Sequence, residues 1–131
     1  MKIPAYFLLL LLSLAAAPAL ATEPTDAELN DWMNYLRSVG IASTVKICGE
    51  ALQDVPRFTS AAEAWSTANR ESVERGHSLA SANPPKGWKT LEDYNEALIK
   101  DYEAKLSSKT QSERVAVCTK YLQTLEKSGT K

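Results

Sequence analysis

Apolar residues recur along most of this chain at intervals of three and four, the spacing that gathers side chains on one face of an α-helix. Leu29, Trp32, Met33 and Leu36 make a first stripe, and Ile41, Val45, Cys48 and Leu52 a second. The stripe shifts by one position across Gly40, which predicts a kink or break there in a helix that starts near Asp26. A third stripe, from Trp65 through Ala68, Asn69, Ser72, Val73 and Gly76 to Leu79, is poor in bulk. Leu91, Tyr94, Leu98, Tyr102 and Leu106 form the fourth; Val115, Cys118, Leu122 and Leu125 form the last. No segment alternates with period two, so strands are not expected.

Punctuation agrees with the stripes. Thr25, Ser60, Thr90 and Thr110 are each followed three positions later by an acid (Glu28, Glu63, Asp93, Glu113). The hydroxyl can accept from a free amide of the first turn while the acid reaches back to the cap amide. Asp54-Val55-Pro56 is expected to stop the first long segment, because proline cannot continue the ladder and disfavours helix in the residue before it. The second helix is then expected over 61–82, followed by the loop Asn83-Pro84-Pro85-Lys86-Gly87. The expected fold is all-α: a small antiparallel bundle of four main helices, the first kinked or broken at Gly40, tied by one disulfide.

The N-terminus follows a different pattern. Met1-Lys2 precedes an apolar run from Ile3 to Leu14, and small residues lead to Ala19-Leu20-Ala21. Small side chains at Ala19 and Ala21, with Pro18 breaking the apolar helix ahead of them, read as a signal-peptidase site. Residues 1–21 are therefore expected to be a cleaved signal peptide, and residues 22–131 a single helical domain. The expected address is the periplasm, with the extracellular space second. No stable membrane association is expected after cleavage.

Export changes the meaning of the two cysteines, Cys48 and Cys118. In an oxidising compartment an even, minimal count predicts one disulfide, and both residues fall on apolar stripes. The pair lacks the Cys-x-x-Cys spacing of a redox centre. The formal net charge of −1 comes with no basic cluster, so nucleic acid is not an expected partner.

Little in the chain points to catalysis. His77 is the single histidine, beside Gly76, and no hydroxyl has a nucleophile context such as G-x-S-x-G. No zinc-ligand spacing and no Gly-rich phosphate loop occur, so neither catalytic nor metal residues are assigned and no cofactor is expected. The acids are scattered and often paired with a base at i+4, as Glu71 is with Arg75.

The candidate binding residues fall in two places. Trp65 and Asn69 share a helical face, with Arg70 adjacent and Gly76 two turns on, as expected of a tightly packed face or of a pocket within the bundle. Trp88 and Lys89 follow the 83–87 loop, where a tryptophan can anchor an interface or fold back on Tyr94. In size, leader, helix content and disulfide the chain resembles the periplasmic immunity proteins that protect bacteria from secreted effectors. That resemblance is of outline alone and carries no residue role. The expected function is an exported, non-enzymatic interaction protein that binds another protein, in its most concrete form an immunity or inhibitor protein. Its rivals are a small-ligand carrier with a pocket inside the bundle and a hydrolase whose acids converge in space.

Overall fold

The computed structural model describes residues 23–128, so the expected signal peptide lies outside the described residues. Five helices follow one another: α1 (Asp26–Ala51), α2 (Val55–Ala68), α3 (Arg70–Ala82), α4 (Leu91–Ser108) and α5 (Gln111–Ser128). No strand occurs among the described residues, and none of their helices is long and apolar enough to cross a membrane.

α1 is the axis of the fold and packs against all four of the others; α2 also packs on α5. It runs without a break through Gly40, so the expected break does not occur. A helix-interior glycine costs about 1 kcal/mol relative to alanine, which packing along a 26-residue helix can offset. The shift of the apolar stripe has another cause. The first half of α1 supplies Trp32, Tyr35, Leu36 and Val39 to a cluster with Ala80, Leu91 and Tyr94 from α3 and α4. The second half supplies Ile41, Val45, Cys48 and Leu52 to a cluster with Phe58, Trp65, Leu122 and Leu125 from α2 and α5. A change of neighbours moves the buried face while the helix continues unbroken.

Thr25, Thr90 and Thr110 cap α1, α4 and α5. The Thr25 and Thr110 hydroxyls accept from the Glu28 and Glu113 amides at 3.2 Å, and both glutamates reach back to the cap amide. Thr90 Oγ1 accepts from the Asp93 amide at 3.1 Å. Ser60 starts nothing, because it lies more than a turn inside a helix already begun. Asp54 caps that helix by accepting from the Arg57 amide at 3.2 Å, and Pro56 occupies its first turn, where a missing amide hydrogen costs no bond. The Asp54-Val55-Pro56 signal thus opens α2 as well as closing α1. The expected helix over 61–82 is in fact two helices joined at Asn69 (φ −110°, ψ 13°), whose side-chain amide donates to the Trp65 carbonyl at 2.9 Å in competition with the ladder.

Between α1 and α2, Gln53 takes a left-handed conformation (φ 54°), costly for any residue with a Cβ. Replacing Gln53 with glycine is expected to raise stability by about 1 kcal/mol. A higher urea midpoint at unchanged slope is the signature; an unchanged or lower midpoint would count against strain at this turn.

Cys48 and Cys118 lie at disulfide distance, S–S 2.03 Å, joining the second half of α1 to α5 within the larger cluster.

Candidate functional site

The α1–α3 crossing is where packing departs most from the stripes. Leu29 and Met33, expected in the core, are 44% and 53% exposed, whereas Asp31, Asn34 and Tyr35 are buried. Tyr35 stacks at a tilt on His77, with ring centroids 5.4 Å apart. Gly76 explains the inversion. A Cβ on it would lie 2.0 Å from the Asp31 carbonyl oxygen and 2.7 Å from Tyr35 Cβ, so the two helix backbones meet here. Closest approach leaves no room for leucine or methionine, so short polar groups fill the seam.

Those groups satisfy one another. Asp31 accepts from Ser72 Oγ at 2.6 Å and from Arg75 Nε and Nη2 at 2.8 and 3.1 Å; Asn34 Nδ2 donates to Ser72 Oγ at 3.0 Å. The Arg75 hydrogen bonds, followed by that of Ser72, hold the Asp31 carboxyl below its usual range despite opposing desolvation. This is a structural ion pair, with Arg75 largely exposed and Asp31 nearly buried. Gly76→Ala is expected to destabilise the protein towards the upper end of about 1–3 kcal/mol, or beyond it, because the clash is with backbone. A thermal melt within a degree of wild type would show that the helices separate freely. A depressed carboxylate contributes stability that is present above the unfolded pKa and lost as pH falls through the folded one. The stability gap between wild type and Asp31→Asn should therefore be full at neutral pH and close below about pH 4; a gap that persists at pH 2 argues against the ion pair as its origin.

The candidate binding residues are not brought together. Trp65 is fully buried in the α1–α2–α5 cluster, whereas Gly76 lies in the other seam, filled by α1. Asn69 is spent on the α2–α3 joint, and Arg70 is exposed. Trp88 is 44% exposed yet lies edge-on to Tyr94, with centroids 5.9 Å apart; Lys89 is exposed beside it. The loop tryptophan therefore folds back on Tyr94 of α4 with one side, while its other side faces water.

A cleft appears where neither the stripes nor the motifs pointed. α4 and α5 both pack on α1, and residues of all three line a solvent-open cleft of about 270 Å³. Met33, Leu36 and Val39 of α1 and Leu98 and Ile99 of α4 supply apolar walls. Arg37, Thr44, Tyr102 and Tyr121 supply the polar groups. Thr44 Oγ1 donates to the Gly40 carbonyl at 2.9 Å, as a hydroxyl one turn on can, so its 2.7 Å contact with the Tyr102 hydroxyl must take the tyrosine proton. Burial raises the Tyr102 and Tyr121 pKa values; Thr44 pulls against it at both, and Arg37 also at Tyr121. Both phenols stay neutral at physiological pH.

Arg37 is the unusual member. Its guanidinium carbon stands 5.6 Å from the centroid of the buried Trp65 ring, and its Nη1 donates a long 3.4 Å bond to Asn34 Oδ1. No carboxylate of the described residues pairs with it; the ion pairs there belong to Arg57, Arg75 and Lys105. The Trp65 indole N–H has no acceptor among the described residues. The stripes give no sign that Met33, Leu36, Leu98 and Tyr102 line a cleft, because a stripe reports which helix face is apolar and not whether another helix covers it. Among the described residues no group of three His, Cys, Asp or Glu side chains could hold a metal ion.

Comparison with protein-family models, with curated proteins and with solved structures finds no match for this chain.

Proposed function

We propose that this is an exported protein, released from its leader at Ala21, that works outside the cytoplasm by binding another protein and not by catalysis. In this reading its helices pack antiparallel about α1, and the α1–α4–α5 cleft is the contact face. The observation that carries it is the apolar wall formed by Met33, Leu36, Val39, Leu98 and Ile99 and left open to solvent. Exposed contiguous apolar surface of this kind marks interaction sites on otherwise polar domains. Trp88, half-exposed in the loop ahead of α4, adds a secondary contact. An immunity or inhibitor role is the most concrete form of this function. The cleft also suits the second reading, a small-ligand carrier, though it lies on the surface and neither Asn69 nor Gly76 lines it. The acid best placed for a hydrolase, Asp31, is neutralised by Arg75 and held ionised, which suits an anchor better than a proton donor.

A photo-cross-linking residue at Met33 or Leu98 tests the contact face, with one at exposed Ala64 of α2 as the control. One defined partner band from the cleft positions, absent at Ala64 and lost on Ile99→Glu, is the expected result. Equal capture from both faces would remove the cleft from the proposal.

A further inference from the structure

We propose that the α1–α4–α5 cleft takes a carboxylate carried on a short apolar chain, with the anion at Arg37 and the chain along Met33, Leu36, Leu98 and Ile99. The proposal rests on the cleft being a binding face.

Charge is the first reason. Arg37 is half-buried, fixed over an indole ring, and without a carboxylate partner among the described residues. Guanidinium presents five N–H donors in a fork that matches a carboxylate, and a long bond to Asn34 and the neighbouring Tyr121 hydroxyl leave most of them open. A cation held against an aromatic face at the edge of an apolar cleft is preorganised for an anion, since its position costs little further entropy. The neighbouring hydroxyls sharpen this. Tyr102 spends its proton on Thr44, whereas the Tyr121 hydroxyl, close to Arg37, remains a second possible donor to an anion.

Size is the second reason. At roughly 30 Å³ for each water-sized group, about 270 Å³ holds on the order of nine heavy atoms, at the small end of ligand sites. That is a short-chain acid or one apolar terminal residue, too little for a helix. A carboxylate on an apolar group is common to a free fatty acid of about eight carbons and to the C-terminal leucine of a polypeptide.

Octanoate, octanol and N-acetyl-leucine are titrated into the full mature chain and followed by the Arg37 side-chain Nε–Hε signal in NMR. Octanoate or N-acetyl-leucine is expected to move it, and whichever binds more tightly identifies the source. Octanol should bind at least about tenfold more weakly. Arg37→Gln should cost a similar factor, and Tyr121→Phe a smaller one without altering the fold. Octanol binding as well as octanoate would overturn anion recognition while leaving an apolar binding face intact. Failure of both acids to bind, with cross-linking through Met33 still capturing a partner, would overturn this inference alone; failure of both experiments would overturn the binding face too.

Discussion

Replacing Cys48 and Cys118 together with alanine is expected to lower stability by about 4 kcal/mol, from the entropy of a cross-link across a separation of 70 residues. For a domain of this size that corresponds to a fall in Tm on the order of 20 °C. The loss should not be uniform. α5 is held by the bridge, by Leu122 and Leu125 against Phe58 and Trp65, and by the Arg57–Glu126 pair, in which Arg57 Nε lies 2.8 Å from the carboxylate. That pair is exposed and contributes little on its own. Once the bridge is gone, α5 loses its covalent tie to α1, so its amides should exchange ahead of those in α1 and α3. Hydrogen exchange of the double variant at 25 °C reads this directly. Loss of protection spread evenly over all five helices would show that the bridge acts on the whole domain at once.

Trp65→Ala should cost a comparable amount, about 3–5 kcal/mol, as expected when a fully buried indole is replaced by a void. Trp65→Phe separates the causes. The indole N–H has no acceptor among the described residues, so phenylalanine removes no hydrogen bond to them and leaves a smaller gap. Its cost should be less than half that of alanine, part of it from a thinner aromatic face beneath Arg37. Denaturant unfolding of both variants decides the matter. Equal costs would mean that the indole nitrogen has a hydrogen-bonding role, with water as the obvious acceptor. Because Trp65 supports Arg37, both variants should also broaden the Arg37 side-chain signal, which ties the core to the cleft.

Helix starts were the most legible feature of the chain, because a cap is a local device. Thr25, Thr90 and Thr110 need only the amides and acids of the next turn, and all three begin helices. Ser60 carries the same signature and begins nothing, because Asp54 with Pro56 starts the helix earlier. The outcome there depended on which of two nearby signals was satisfied first along the chain, a comparison that no single motif contains.

The bridge between Cys48 and Cys118 was legible for a different reason: two cysteines allow one intramolecular pairing, and both lay on apolar faces. The phase shift at Gly40 was visible as well, but its meaning was not. Periodicity records which face is buried and is silent about what buries it, so a change of neighbours from α3 and α4 to α2 and α5 looks the same as a kinked backbone.

The sequence alone determined that the described chain is all-helical, where three of its helices start, and which cysteines meet, since each of these rests on contacts within a turn or on a count. Only the tertiary structure decided that Asp31, Asn34 and Tyr35 are buried while Leu29 and Met33 are exposed. The physical reason is the Gly76 contact, where two backbones approach too closely for large side chains and turn the apolar stripe of α1 partly outward. The same rotation leaves Met33 and Leu36 lining a cleft with Arg37 beside them. A residue's hydrophobicity is written in the chain; whether another helix covers it is settled only when the helices pack.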